Sequence, residues 1–278
     1  MSRVVLAIAP ARAARRIRAM KLAPRFFTFV ALATLAALLT SCATSQPGGR
    51  AINQPPVGFT PLFNGKDLSG WTVPENDGGH WKVLDGVIDY DARSEAKKDK
   101  NLWTEKEFGD FTLKIDWKIK EVHGLYNMPE VLPDGSHKKG PDGKDILTPR
   151  PNADSGIFLR GFAKAQVNIW CWPIGSGEVY GYRMDKKMPP EVRAGVTPKA
   201  CADKPVGQWN TFEITMKGDR LTVVLNGKTV VENTQLPDVP PKGRLGLQHH
   251  GGFDAKKNEY SPASSLMQFR NVFIKELN

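Results

Sequence analysis

Outward-facing polar side chains on short β-rich segments are the residues of this chain whose types and spacing could do chemistry together. Successive side chains of a strand point to opposite faces, so Val167 and Ile169 are expected in the core and the residues between them outside. The same parity on other segments leaves one outward set: Asp116, Arg160, Gln166, Asn168, Trp170, Gln248 and His250. Carboxylate, amide and guanidinium groups can bind hydroxyl groups, and indole rings stack on apolar faces of sugar rings. The set therefore predicts a saccharide site.

His250 is the predicted general base of this set. An imidazole titrates near neutral pH, and Gly251 and Gly252 leave room for a ligand to approach. The alternative for His250 is a strand-end histidine bonded to a carbonyl. His249 points to the opposite face, so the pair cannot chelate one metal ion. A divalent ion held by one histidine plus carboxylates remains an open alternative.

A glycosidase mechanism with two paired carboxylates is disfavoured. A retaining glucanase on a β-sandwich would use a Glu-x-Asp-x-x-Glu strand, which places two carboxylates on one face. This chain has no such run, because Asp116 and Glu121 have opposite parity. Glu178 could still join Asp116 from another strand. Glu178 and Tyr180 complete the predicted substrate-binding residues, with Gln166, Asn168, Trp170 and Gln248.

The elements that must position these residues are short strands. β-rich runs bounded by turn residues follow one another after Cys42, without a convincing amphipathic helix. Asn226-Gly227 is the pair that a two-residue type I′ hairpin requires, and residues 217–220 close the hairpin before it. The long segment 123–152 is predicted to be an excursion from one edge. We therefore expect an all-β fold, a jelly-roll sandwich of two antiparallel sheets.

The first 41 residues are predicted to be a lipoprotein signal peptide. Basic residues precede an apolar run over residues 26–39, which is shorter than the ~20 residues of a transmembrane helix. Leu39-Thr40-Ser41-Cys42 matches the cleavage box of a bacterial lipoprotein, so Cys42 is the predicted lipidation site. An uncleaved anchor helix is the alternative, and Met20 is an alternative start to Met1. Residues 42–56 are predicted to be a flexible tether, and residues 57–278 the folded domain.

Removal of the signal peptide changes the charge and the compartment. Seven of the 39 basic residues precede Cys42 and no acidic residue does, so the net charge falls from +10 to +3. Nucleic acid is therefore not an expected partner. The expected location is the bacterial cell envelope, on its periplasmic or outer side, with the membrane contacted only through the lipid. Ala43 is not acidic, which favours the outer membrane. Cys171 and Cys201 could pair there or remain free thiols.

Six motifs of the predicted domain resemble those of the 3-keto-disaccharide hydrolase domain family. In chain order they are residues 63–71 (FNGKDLSGW), 154–160 (DSGIFLR), 207–213 (GQWNTFE), 225–228 (LNGK), 243–251 (GRLGLQHHG) and 269–274 (FRNVFI). The resemblance implies a concanavalin-like sandwich that binds substrate on its concave sheet. It also implies activity on glycosides oxidised to a ketone at carbon 3. The chain departs from the family pattern at Asp154, where Asn is common, and at residues 166–168, where Glu-Val-Gln is common.

Such a substrate assigns expected roles to the predicted residues. The ketone acidifies the hydrogen on carbon 2, so a base can remove it and the aglycone can leave from carbon 1 by elimination, after which water adds. His250 would be the base, Arg160 or a metal ion would stabilise the enolate, and Asp116 would orient the imidazole or help to hold the metal. The rival interpretation is a non-catalytic carbohydrate-binding envelope lipoprotein. A purely structural envelope lipoprotein is the third.

Overall fold

The computed structural model describes residues 51 to 277, and these residues are organised mainly as strands. In chain order the strands are β1 (Thr60–Pro61), β2 (Trp71–Thr72), β3 (Trp81–Leu84), β4 (Val87–Asp91), β5 (Leu102–Phe108), β6 (Phe111–Ile119), β7 (Tyr126–Pro129), β8 (Leu147–Arg150), β9 (Asp154–Leu159), β10 (Phe162–Trp170), β11 (Asn210–Lys217), β12 (Arg220–Leu225), β13 (Lys228–Gln235), β14 (Gly243–Leu247), β15 (Phe253–Asp254), β16 (Glu259–Tyr260) and β17 (Leu266–Glu276). Two helices too short to show an amphipathic repeat lie between β10 and β11: α1 (Tyr180–Arg183) and α2 (Pro190–Gly195). No pattern in the sequence predicted these two helices.

Two antiparallel sheets enclose the core. The larger sheet has the order β13-β12-β11-β6-β17-β4-β3, with β1 paired to β17. The smaller sheet has the order β10-β9-β14-β5-β2. Strands that are distant in sequence are neighbours in both sheets, as in β6-β17 and β9-β14. The predicted fold class, an all-β sandwich of two antiparallel sheets, is confirmed.

Strand β6 shows why the sequence folds in this way. Its residues alternate strictly between buried and half-buried positions from Phe111 to Ile119. The buried positions, including Leu113 and Trp117, belong to the main core, which also contains Ile157 and Leu247 of the smaller sheet. A period of two with one apolar face is stable only when that face is covered. The second sheet supplies this cover.

The predicted hairpin turns are confirmed. Asn226 and Gly227 have φ angles of 52° and 83°, and Leu225 pairs with Lys228 across them. Two successive positive φ angles define the type I′ turn. The hairpin before it closes where Lys217 pairs with Arg220. The three strands β11, β12 and β13 therefore form the expected antiparallel meander.

The segment 123–152 forms a hairpin of its own, in which β7 pairs with β8 outside the two large sheets. Cys171 and Cys201 are free thiols. Within residues 51–277 we find no helix with the length and apolar composition needed to cross a membrane.

Contacts to the sandwich begin before residue 57. The Asn53 side chain donates to the carbonyl oxygen of Gly86 at 2.8 Å, and Asn53 and Asn271 exchange hydrogen bonds between side chain and backbone. The end of the predicted tether is therefore docked on the domain. The predicted signal peptide, Cys42 and the tether up to residue 50 lie outside the described residues.

Candidate active site

The outer face of the smaller sheet collects polar side chains from three adjacent strands. On β9, Asp154, Gly156 and Phe158 share this face, opposite to the core residues Ile157 and Leu159. The register of β9 and β10 sets their partners: Trp170 lies opposite Asp154, Asn168 opposite Gly156, and Gln166 opposite Phe158. On the other side of β9, the strand β14 continues into Gln248 and His250. The sheet register alone thus brings β10, β9 and the end of β14 to one surface.

His250 and Asp154 are the central pair of this surface. His250 Nε2 lies 4.0 Å from Asp154 Oδ2, and the side chains are 40% and 24% exposed. The other ring nitrogen, Nδ1, lies 2.9 Å from the carbonyl oxygen of Ala263. A carbonyl oxygen only accepts, so Nδ1 must carry the proton and Nε2 of the neutral ring keeps its lone pair. The ring therefore presents a basic nitrogen beside a carboxylate.

Ser265 holds the two members of the pair in place. Its hydroxyl accepts from the backbone N–H of His250 at 2.7 Å and donates to the backbone carbonyl of Asp154 at 2.5 Å. Ala263 accepts from the backbone N–H of Asp154 as well as from the imidazole of His250. Both side chains are thus positioned by the same short segment before β17.

A glycine forms the floor between three amide side chains. The backbone of Gly156 accepts from the N–H of Gln248 at 3.0 Å. A Cβ at Gly156 would lie 2.5 Å from Gln166 Nε2 and 2.8 Å from the carbonyl oxygen of Val167, so only glycine fits. Three amide atoms around this floor have no hydrogen-bond partner among the described residues: Gln166 Nε2, Asn168 Oδ1 and Gln248 Oε1. Buried polar atoms are normally satisfied, so three unsatisfied atoms beside one glycine are an unusual feature of this face.

A fully buried ion pair lies beside β10, on the edge away from β9. The guanidinium of Arg183 donates from Nε to Glu178 Oε1 and from Nη1 to the carbonyl oxygen of Gly135, the latter at 3.1 Å. Both side chains are 0% exposed. Glu178 is held next to β10, because residues 177 and 178 exchange backbone hydrogen bonds with Asn168. Glu178 Oε2 and Arg183 Nη2 also lack partners among the described residues.

Two carboxyl groups in this region, those of Asp154 and Glu178, have raised pKa values. Burial raises the pKa of Asp154 to about 6, although the positive charge of His250 opposes the rise. Burial also raises the pKa of Glu178, against the opposing charge and hydrogen bond of Arg183, and the charge of Asp154 raises it further. Groups whose pKa lies near the working pH suit proton transfer. Of the two, only Asp154 is partly exposed, so it is the carboxyl group that can take part in proton transfer beside His250.

Arg160 does not lie in this site, and its predicted placement is wrong. Strand β9 ends at Leu159, and Arg160 and Gly161 form a turn with φ angles of 51° and 64°. Strand parity does not extend into a turn, so the Arg160 side chain runs to the opposite end of the sheet. There it donates to the carbonyl oxygens of Gly109, Gly218 and Pro240 and to Asp110. It is a buried structural cation.

Asp116 also lies elsewhere, and its predicted placement is corrected. It projects from β6 in the larger sheet, on the face away from the core. Its carboxylate accepts from Thr211 Oγ1 at 2.6 Å and from Asn271 Nδ2 at 2.7 Å, with Arg270 Nε at 3.4 Å. The parity of β6 was correct, but parity does not say which sheet a strand joins.

Trp170 faces outward from β10 as predicted, but it is not an exposed stacking platform. Its ring packs on Trp172 with centroids 4.2 Å apart, its Nε1 donates to the carbonyl oxygen of Gly175, and it is 3% exposed. The two indoles and Met128 form a small second core under the β7–β8 hairpin. Tyr180, 41% exposed, meets both indoles edge-on.

The family model described as the 3-keto-alpha-glucoside-1,2-lyase-like domain matches residues 58–275. The chain belongs to this family. The match confirms the resemblance carried by the six sequence motifs and spans both sheets of the sandwich. A search of the curated proteins gave no match.

Solved structures share the fold of this family member. Two crystal structures of proteins from Parabacteroides distasonis, provisionally named glycosyl hydrolases, superpose with TM-scores of 0.51 and 0.50. The first is 20% identical and covers 82% of this chain and 100% of its own. The second is 23% identical and covers 84% of this chain and 93% of its own. At this identity the likeness shows the shared fold.

Two residues in the region of the candidate site, Asp154 and Arg183, were not predicted from the sequence. Asp154 begins β9 within a quoted motif, and its outward parity with Phe158 was the available signal. Arg183 lies in α1, and nothing in a four-residue helix signals a link to Glu178. Within residues 51–277 no group of three or more His, Cys, Asp or Glu side chains is arranged to hold a metal ion.

Proposed function

We propose that this protein cleaves glycosides whose sugar carries a ketone at carbon 3. The observation that carries the proposal is the His250–Asp154 pair, with a basic Nε2 at 4.0 Å from a carboxylate on the outer face of the smaller sheet. Membership of a family named for lyase chemistry on 3-keto-α-glucosides supports the substrate class. The unpartnered amides around Gly156 support a hydroxyl-rich ligand.

His250 is the proposed base. Its Nε2 removes the proton from carbon 2, and the electron pair of the C–H bond becomes an enolate between carbons 2 and 3. The resulting imidazolium is stabilised by the ionised Asp154 beside it, and its Nδ1–H stays on the carbonyl oxygen of Ala263. A positioned base contributes roughly 10² to 10⁴ in rate.

The enolate then expels the aglycone. Its electron pair reforms the ketone and makes a double bond between carbons 1 and 2, while the bond from carbon 1 to the aglycone oxygen breaks and that oxygen takes the proton held on His250 Nε2. Water then adds across this double bond, with its hydroxyl on carbon 1 and its proton on carbon 2, and completes the hydrolysis. Gln166 Nε2, a donor without a partner among the described residues, can donate to the enolate oxygen.

We propose that Asn168, Gln248 and Tyr180 help to bind the sugar. Gln248 and Asn168 flank Gly156 from β14 and β10, so their amides can orient hydroxyl groups at the site. Burial raises the pKa of Tyr180, so its hydroxyl stays protonated at neutral pH and can donate to a substrate oxygen. Glu178 is fully buried, so its role is to hold Arg183.

We also propose that the protein is exported and lipidated at Cys42 in the bacterial cell envelope. The support is the sequence of residues 26–42. Mass spectrometry of the purified protein tests it: a mature chain that begins at a diacylated Cys42 is expected. A chain that retains residues 1–41 would refute it.

The test of the activity uses the soluble domain, meaning residues 43–278 expressed without the predicted signal peptide and Cys42. It is incubated with 3-keto-trehalose and a 3-keto-glucoside, with and without chelator, and release of the aglycone is followed. Turnover is expected on a keto-sugar. The variant His250→Ala should lose at least about 100-fold in kcat while it still binds the sugar. His80→Gln is the control, because His80 pairs with Asp91 at the larger sheet and should leave turnover unchanged.

Two outcomes would refute the mechanism. Turnover that survives His250→Ala would show that His250 is not the general base. Saccharide binding without turnover of any keto-sugar would show a carbohydrate-binding protein that uses the same surface.

A further inference from the structure

A cleft lies on the outer face of the smaller sheet, beside β5. It has a volume of about 290 Å³ and is lined by Trp103, Arg244, Thr72, Asn101 and the loop that contains Lys97 and Asp99. None of these residues takes part in the proposed proton transfer. We propose that this cleft, called the Trp103 cleft below, binds the aglycone sugar of a disaccharide substrate. The inference rests on the proposed function.

A continuous surface connects the Trp103 cleft to the His250 site. One row of partners crosses four strands: Trp103 pairs with Gly246, Gly246 with Phe158, and Phe158 with Gln166. The indole of Trp103 lies so close to Gly246 that a Cβ there would be 2.6 Å from the ring. Trp103 also stacks on Phe158 with centroids 5.3 Å apart. The stacked rings of Trp103 and Phe158 therefore lead from the cleft toward Gly156.

The spacing fits two linked sugars. Arg244 and Gln248 lie four residues apart at outward positions of β14 and its extension, which corresponds to about 13 Å along a strand. That separation leaves room for two joined pyranose rings, one at each end. The cleft wall is also tied to the residue before the proposed base, because Asn101 Oδ1 accepts from the backbone N–H of His249 at 2.8 Å.

The chemistry of the cleft suits a neutral sugar ring. Trp103 Nε1 donates to Asp99 Oδ2 at 2.6 Å, which fixes the indole as a stacking surface. The guanidinium of Arg244 lies 5.5 Å from the centre of this ring, and its contact with Thr72 Oγ1 is long, at 3.4 Å. Its donors are thus available for the hydroxyl groups of a sugar held against the indole.

The experiment compares two probes that share the keto-sugar and differ in the aglycone: 3-keto-trehalose and p-nitrophenyl 3-keto-α-glucoside. Arg244→Met should lower kcat/KM for 3-keto-trehalose by roughly tenfold, the loss expected for a hydrogen bond from a charged group, and leave the nitrophenyl glucoside within twofold. Trp103→Ala should do the same, and Trp103→Phe should restore most of the loss. Arg220→Met is the control, because Arg220 lies on β12 in the larger sheet.

Equal effects on both probes, or no effect on either, would refute the aglycone site. If the wild type turns over neither probe, the proposed function fails, and binding then decides the cleft separately. In that case, calorimetric titration with trehalose and with glucose should show that Arg244→Met weakens only trehalose binding. Unchanged trehalose binding would refute the cleft.

Discussion

The Arg160→Ala variant should lose stability without losing the catalytic mechanism. The side chain is 1% exposed and donates four hydrogen bonds, three to carbonyl oxygens on separate turns and one to Asp110. Its removal leaves these acceptors without their donor. Breaking a fully buried ion pair costs about 3–5 kcal/mol, and Asp110 is 33% exposed, so we expect the lower end.

A loss of about 3 kcal/mol in the free energy of unfolding corresponds to a decrease of roughly 6 to 12 °C in Tm for a domain of this size. Calorimetry and urea denaturation of the soluble domain would measure it. At a temperature where the variant is folded, its kcat should match that of the wild type within about twofold, because Arg160 points away from His250.

A backbone control separates the side chain from the turn. Arg160 has a φ of 51°, a conformation that costs other residues roughly 1 kcal/mol more than glycine. Arg160→Gly should therefore be about 1 kcal/mol more stable than Arg160→Ala. A variant with wild-type stability and a large loss of kcat would refute the structural role and return Arg160 to the active site.

Three further outcomes follow from the structure. Because burial raises the pKa of Asp154 to about 6, the carboxylate is ionised above that pH and protonated below it. A plot of kcat/KM against pH should therefore fall by about tenfold per unit on the acid side, and Asp154→Asn should lower the plateau and alter this limb; an unchanged profile would contradict the pairing. Trp170→Ala should cost about 3–5 kcal/mol in chemical denaturation, since the ring lies in the second core, and a fully stable variant with weakened sugar binding would show an exposed platform instead. Asp116→Asn should leave steady-state kinetics unchanged, and a loss of kcat comparable to that of His250→Ala would place Asp116 in the site.

Local pattern was sufficient for the strands and their turns. The alternation of β6 and the Asn226-Gly227 pair are properties of neighbouring residues, since side-chain period and turn conformation are both set within a few positions. The two-sheet architecture followed because so many half-apolar strands without crossover helices must cover one another. The family motifs were readable for the same reason, as short runs of adjacent residues.

Parity correctly predicted which face of β9, β10 and β14 points outward, and Gln166, Asn168 and Gln248 lie together around Gly156. It failed where a strand ended early or joined the other sheet. The turn at Arg160 directs that side chain to the end of the sheet opposite His250. The pairing of β6 with β17 and β11 places Asp116 on the larger sheet.

The sequence by itself determined which segments are strands, where they turn and which residues each strand presents on either face. The tertiary structure decided which strands are neighbours, which outward faces are covered, and that Asp154 meets His250. The physical reason is the range of the interactions. Propensity and alternation act between residues close in sequence, whereas sheet order, the burial of Trp170 and the ion pair of Arg183 with Glu178 arise only when distant segments exclude water between them.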